Sequence, residues 1–342
     1  MIATIVLASA CFEAIPAQEY DEPPVPRPRK GILTLTLEND LFLRRDNQYT
    51  HGLALTWTTS EVGSLGERNF FRKMLRAVRF LPAFGDGDRG EYATVRFGQE
   101  MYTPTDISDP DPPEGEQPYA GILALDTGVH ARSVRSLHTW NLRLGIVGPA
   151  SGAEQIQRLI HEITGSPIPQ GWDTQLSNEF LLNLDYRYSH RIHRSAGRSG
   201  FGHDSTVSVG GGLGNYYTGA SGGIDLRFGW CLPETYGSAR ARGYPGALVG
   251  WQRPPPGRWR VYFQVGAEAY RVLRFLPTDG NTLVDGRSAD RNDWFMLLDL
   301  GFVVSRGRFQ AGYSHTATLG GTDTTFWSGN QDYGVVTASW LF

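Results

Sequence analysis

Strict alternation of apolar and polar residues recurs along this chain, and it constrains the fold more than any other feature. In 31–40, Leu33, Leu35 and Leu37 interleave with Thr34, Thr36 and Glu38; in 49–60, Leu53, Leu55 and Trp57 interleave with Ala54, Thr56 and Thr58. Successive side chains of a β-strand point to opposite faces, so each segment separates an apolar face from a polar one. About twelve such segments can be counted, near 31–40, 49–60, 91–102, 119–131, 137–147, 177–190, 203–214, 223–231, 258–274, 293–306, 308–317 and 331–342. An even number of antiparallel strands suits a bacterial outer-membrane barrel with both ends in the periplasm. The expected fold class is therefore all-β: an antiparallel transmembrane β-barrel of about twelve strands with its apolar faces toward lipid. A soluble sandwich or lipocalin-like barrel would carry the same pattern with those faces turned inward.

The two ends favour the membrane. Ile2 to Ala10 is an apolar run of small residues, followed by Ala14-Ile15-Pro16-Ala17, and reads as the apolar core and cleavage zone of an export signal without the usual basic start. Leu7-Ala8-Ser9-Ala10-Cys11 is a weak match to a lipoprotein cleavage box. The expected layout is a signal peptide over 1–19, a Pro-rich and charged tether over 20–30, and a barrel over 31–342. Cys11 would leave with the signal, so Cys231 reads as a small buried hydrophobe. No apolar run is long enough for a membrane-spanning helix. The strand-like segment Tyr333 to Phe342 ends on an aromatic residue, as outer-membrane barrels do. A net charge of −3 with scattered Arg residues argues against a nucleic-acid partner.

Counting strands from a periplasmic start assigns 41–48, 103–118, 148–176, 215–222, 275–292 and 318–330 to extracellular loops, and 132–136 and 307 to short periplasmic turns. Two periplasmic connections are too long. In 61–90, Phe70, Phe71, Met74, Leu75 and Val78 recur at helical spacing among Arg72, Lys73, Arg76 and Arg79, which predicts a basic amphipathic helix lying on the inner leaflet or plugging the barrel base. The Pro- and Gly-rich 232–257 carries no functional signal. One external loop predicts a short helix: Ser151 as N-cap with Glu154 reaching back, then Ile156, Leu159, Ile160 and Ile163 as an apolar face, stopped by Gly165 and Pro167. That face should pack on the barrel mouth, placing His161 at its margin.

The candidate chemistry gathers at the external end. Asn39 and Asp40 close strand one and Thr50 opens strand two. By parity Asp40 and Thr50 point into the lumen, whereas Asn39 points outward unless the strand ends before it. A polar hairpin tip with Asn and Asp is also ordinary turn chemistry. No Gly-x-Ser-x-Gly elbow, phosphate loop or zinc spacing is present. The oxygen donors of Asn39 and Asp40 suit a hard cation such as Ca²⁺.

In order along the chain, Glu38-Asn39-Asp40 with Tyr49-Thr50-His51-Gly52, Gln117-Pro118-Tyr119-Ala120-Gly121, Gly148-Pro149 leading to His161, Pro169-Gln170-Gly171-Trp172-Asp173-Thr174-Gln175-Leu176 and Asn178-Glu179 resemble segments of the lipid A 3′-O-deacylases. Gly214-Asn215 with Leu232-Pro233, and Asp279-Gly280-Asn281-Thr282, extend the resemblance over nearly the whole chain; the short first external loop departs from it. The resemblance implies an outer-membrane hydrolase of the ester that holds the acyloxyacyl group at the 3′ position of lipid A, facing the extracellular leaflet and requiring a divalent cation. His161 corresponds to the proposed base, and Asn39, Asp40 and Thr50 to the remaining catalytic positions. Two other readings stand beside it: a non-catalytic barrel, structural or a narrow channel, and an outer-membrane phospholipase using Ser177 or Ser151.

Overall fold

The computed structural model describes residues 31–39, 48–65, 69–84, 89–195, 200–236, 246–320 and 331–342, with backbone alone at 48–51 and 331. The expected signal, the tether and Asp40 lie outside these residues. Twelve antiparallel strands close into one barrel, each hydrogen-bonded to its neighbours in sequence, with the last pairing the first. They are β1 (Ile32–Asn39), β2 (Gln48–Thr58), β3 (Gly90–Thr103), β4 (Ala120–Arg132), β5 (Ser136–Val147), β6 (Glu179–Ser195), β7 (Phe201–Gly214), β8 (Tyr217–Trp230), β9 (Trp259–Phe275), β10 (Trp294–Arg306), β11 (Phe309–Gly320) and β12 (Gln331–Leu341). No helix among the described residues is long and apolar enough to cross a membrane.

The alternation resolves as a lipid-facing barrel. Leu35, Leu53 and Leu55 are exposed on the outer wall, while Thr34, Ala54 and Glu38 are buried inside. A one-residue slip would exchange every face, so register is held by burial alone along most of the sheet. At the end where β1 starts and β12 finishes, here called the base, Trp57, Phe342, Trp340 and Phe309 stack in a chain around the outside. Aromatic girdles of this kind mark a membrane–water boundary. The opposite end is the rim. There β7 runs to Gly214 and β8 begins at Tyr217, so the loop expected over 215–222 shrinks to two residues and its remainder is strand.

The lumen is filled. Arg96 and Arg143 both pair with Asp126 (2.9 and 2.8 Å) and Arg143 also meets Glu100 (3.0 Å), all four deeply buried. The Tyr216 hydroxyl donates to Glu100 (2.8 Å) from the rim side. Across the lumen Arg187 binds Glu268. Buried charges persist only when paired and hydrogen-bonded, and this network satisfies that condition.

The described parts of the β8–β9 connection, 231–236 and 246–258, fold back into the base. Leu232 packs on lumenal Tyr262 and Val303, Tyr236 and Val249 on Tyr92 and Leu137, and Trp251 on Ile32 and Leu341. Lumenal arginines hold its carbonyls: Arg227 and Arg191 donate to Thr235 O (2.7 and 2.8 Å), Arg194 to Leu232 O (2.9 Å) and Arg260 to Cys231 O (2.6 Å). A plug of irregular backbone buried inside a barrel needs such donors for its carbonyls. Cys231 itself is buried, as its sequence context suggests.

The other long connection does not plug anything. Its helix α1 (Phe70–Ala77), capped by the Asn69 side chain on Phe71 N, packs through Leu75, Phe71, Met74 and Val78 on Val129, Ala131 and Trp140. Those three belong to the outer faces of β4 and β5, since their neighbours Gly128, His130, Thr139 and Asn141 point inward. Of the two expectations for 61–90, the plug at the barrel base is not realised; α1 packs on the outside of the barrel instead.

Candidate active site

The external helix, α2 (Ala153–Thr164), lies against the outer wall of β3 and β4 near the rim, not over the mouth. Gly121 makes this approach possible. A Cβ there would stand 2.3 Å from Ala153 Cβ and 2.4 Å from Ser151 Oγ. Ala153 is buried with Met101, Tyr119 and Trp172, and Gln99 donates from the wall to Ser151 O (2.7 Å).

The helix start differs from the expected capping box. Its N-cap is Gly152, left-handed at φ 69° and without a side chain to cap it, and Ser151 Oγ accepts only a long bond from Ala153 N (3.4 Å). Ser151 instead closes the turn Pro149–Ser151 and is buried against the wall, while Glu154 pairs with Arg158 (2.9 Å). The chain leaves β5 and must double back onto the barrel, which needs a left-handed residue at the point where a capping serine would otherwise sit. The stop is as expected, with Gly165 left-handed and Ser166 N returning to His161 O (3.0 Å).

The orientation of α2 reverses the expectation. Ala153, Gln157 and His161, spaced four apart, face the wall and are buried. The apolar residues face away: Ile156, Leu159 and Ile163 are 38%, 52% and 76% exposed. In water such a stripe would turn inward. Beside an outer wall that is itself apolar, the exterior is the greasy phase, and the polar side of the helix is the one that needs protein partners.

That polar side carries the candidate base. His161 Nδ1 lies 2.5 Å from Pro167 O. A carbonyl oxygen can only accept, so Nδ1 carries a proton, and in the neutral imidazole Nε2 then keeps the free lone pair. Nε2 has no hydrogen-bond partner among the described residues. One turn earlier, the Gln157 carbonyl oxygen accepts from Trp172 Nε1 (2.7 Å), which orients the amide. Its Nε2 is then a buried donor without a partner among the described residues. An orphaned buried donor is costly unless a water or a ligand atom supplies the missing acceptor. Gln157 was not singled out from sequence; the signal available was its i−4 spacing from His161.

The strand residues converge on the same wall. Asn39, His51, Met101 and Gly121 form one cross-strand row from β1 to β4. Met101 and Gly121 are the residues α2 covers, so the outward parity of Asn39 puts it on the α2 side, about 10 Å from Met101 across two strand spacings. Of the candidate residues, Asn39 and His161 thus lie on the outside of the barrel. Glu38, one residue before, is the group turned inward. The β2–β3 ladder slips between Tyr49 and His51, making Thr50 the extra residue of a bulge. Parity counted from Leu53 therefore loses its force at Thr50, because a bulge resets the alternation. Bulges recur beside active sites, where they re-aim a side chain.

The remaining motif residues brace this arrangement. Tyr119 stacks on Trp172 (5.0 Å) and donates to Ile107 O (3.3 Å); burial pushes its hydroxyl up to about 12, so it stays a neutral donor. Gln117 donates to Pro277 O (2.6 Å), Asn178 accepts from Ala150 N (2.8 Å), and Asn281 and Thr282 both bind Glu179. The three loops after β3, β5 and β9 are thereby locked together over the rim. Burial alone would raise the Asp279 carboxyl, but hydrogen bonds from Arg291 and from Phe275 N hold it below the usual range.

Neither serine pairs with the histidine. Ser151 sits at the opposite end of α2, about 12 Å along the axis, and Ser177 N donates to Asn281 Oδ1 (2.9 Å). Among the described residues no group of three or more acidic, His or Cys side chains is gathered to hold a metal. Asn39 offers a single amide oxygen, whose chemistry fits a hard cation; Asp40 lies outside the described residues.

The model of the family described as "Outer membrane protein LpxR" matches residues 1–342. The chain belongs to the LpxR family. This LpxR-family barrel is similar to the solved structure of LpxR from Salmonella typhimurium at a TM-score of 0.71 and 15% identity, covering 91% of this chain and all of that one. The likeness shows the fold, and with the family match it makes the protein an outer-membrane barrel. The β domain of the Bordetella autotransporter BrkA is more distantly similar, at a TM-score of 0.43 and 10% identity over 92% of this chain and 99% of that one. No curated protein sequence matches the chain.

Proposed function

We propose that this LpxR-family barrel hydrolyses the ester that links the 3′ acyloxyacyl chain to lipid A in the outer leaflet, with His161 as general base. The observation that carries the reading is His161 itself, buried between α2 and a lipid-facing wall with its tautomer set by Pro167 O. Nε2 takes a proton from water as the water oxygen attacks the ester carbonyl carbon. The carbonyl oxygen becomes an oxyanion, and the unpaired Gln157 amide N–H stands one helical turn away to receive it. Collapse breaks the bond to the sugar oxygen, which takes the proton back from His161. The products are a free acid and the 3′-hydroxyl.

Asn39 and Thr50 position the water or the substrate from the strand side. Asp40 with Asn39 would hold a Ca²⁺ through oxygen atoms, and the ion when bound would add positive charge beside the developing oxyanion. The exposed stripe Ile156, Leu159 and Ile163 supports the same reading, since it gives acyl chains in the leaflet an apolar surface beside His161. A filled lumen and a plugged base speak against a channel, and the unpaired serines against a serine phospholipase.

The test is lipid A extracted from a Gram-negative host expressing the protein, weighed by mass spectrometry. Loss of the 3′ acyloxyacyl mass is expected with the wild type and with Ser177→Ala, and no loss with His161→Ala. Chelation by EDTA should stop the reaction and added Ca²⁺ restore it. Unchanged lipid A from correctly inserted wild-type protein in the presence of calcium would defeat the proposal.

A further inference from the structure

The helix α1 has a second face that the barrel does not use. Its apolar side is spent on Val129, Ala131 and Trp140, at the level where Trp140 stacks on Tyr186 (4.5 Å) near the base. Lys73, Arg76 and Arg79 point away and are exposed. None of the three makes an ion pair among the described residues, and the segment 69–84 contains no acidic residue. Arg72 is tied to Leu65 O (3.0 Å). Phe70 and Phe80 flank the basic face, 69% and 81% exposed.

These features point to one partner. Two exposed aromatic rings beside unpaired cations would be unfavourable in plain water, but both are satisfied where a membrane meets water, rings among acyl carbons and cations among phosphates. Self-repulsion among the three cations needs an anionic partner of extended, repeating charge. Most barrel connections on this side are short turns, so a connection from 59 to 89 with a docked helix is additional material, placed at the height of the aromatic girdle.

We propose that α1 is a docking site for the phosphate headgroups of anionic glycerophospholipids in the inner leaflet of the outer membrane. Lys73, Arg76 and Arg79 bind the phosphates, and Phe70 and Phe80 enter the acyl region. The site fixes the depth and tilt of the β3–β5 sector, the sector whose opposite end carries α2. The choice of leaflet rests on the proposed function, which turns α2 outward; the binding of lipid does not.

The purified barrel in non-ionic detergent is titrated with phosphatidylglycerol or phosphatidylcholine and the retained lipid counted by native mass spectrometry. Wild type should retain phosphatidylglycerol preferentially. Lys73→Gln/Arg76→Gln/Arg79→Gln should weaken that retention about fivefold per residue, on the order of a hundredfold in all. His161→Ala should bind lipid as wild type does, which separates this proposal from the deacylase reading. Equal retention of both lipids, or equal retention by wild type and the triple variant with heat-modifiable gel mobility intact, would overturn it. For the leaflet, Arg79→Cys is treated in cells with a membrane-impermeant maleimide. Labelling only after the outer membrane is permeabilised supports the inner leaflet; labelling in intact cells overturns that assignment.

Discussion

Gly121→Ala tests whether catalysis depends on the closeness of α2 to the wall. The added Cβ would stand 2.3 Å from Ala153 Cβ, where ordinary carbon contact is about 3.5–4.0 Å, so the start of the helix must withdraw by roughly 1.2 Å or more. Ser151 Oγ, at 2.4 Å, can rotate aside, but Ala153 Cβ has no freedom to do so. Both Gln157 and His161 ride on the same rigid helix, whereas Asn39 and Thr50 stay with the strands. A misplacement of about 1 Å between catalytic groups costs on the order of a hundredfold in rate. The substitution lies on the outer face of one strand end and removes no barrel hydrogen bond, so insertion should be unaffected. The assay is initial-rate deacylation of lipid A by purified protein in detergent, read by mass spectrometry alongside heat-modifiable mobility. Ala153→Gly in the same chain should recover part of the loss by removing the opposing methyl. A fully active Gly121→Ala protein would refute the placement of the reaction between α2 and the wall.

Other consequences follow from the same geometry. Gln157→Ala should lower kcat on the order of a hundred- to a thousandfold, as loss of an oxyanion donor does, while Trp172→Phe, which frees the amide without removing it, should cost less; equal losses would mean Gln157 only braces the loop. In planar bilayers the protein should show no conductance steps, since paired charges cross the lumen and residues 231–236 and 246–258 pack into the base; regular steps would revive the channel reading. The Asp279–Arg291 latch has a carboxyl held below its ordinary value, so its contribution is present above about pH 4 and lost as pH falls through the lower folded value. Hydrogen exchange of 276–293 should accordingly be unchanged from neutral pH to pH 4 and rise only below it; Asp279→Asn should show the raised exchange at neutral pH.

Strand number, lipid-facing residues and the stop of α2 at Gly165 could be read from the sequence because each rests on local chemistry. Leu33, Leu35 and Leu37 alternate with Thr34, Thr36 and Glu38 whatever the rest of the chain does, and period-two alternation admits only two choices of face. The family motifs were also legible, and the structure gives several of them a role: Gln117, Tyr119, Trp172 and Asn178 brace the loops that carry His161.

What sequence could not decide was which side of each element met which phase. The apolar stripe of α2 predicts burial against protein only if the surroundings are water; beside a lipid-facing wall the stripe turns out and His161 turns in. Parity along one segment pointed Thr50 into the lumen, but the bulge at Thr50 and the row joining Asn39 to Gly121 arise from pairings between strands, which a single segment does not contain. The same holds for 232–257, whose Pro- and Gly-rich composition reads as loop until the arginines of β6, β8 and β9 are brought around its carbonyls. Local sequence determined a barrel and its two faces; the tertiary structure decided that α2 and His161 pack on the outside of that barrel, because only there does the helix meet the wall of β3 and β4.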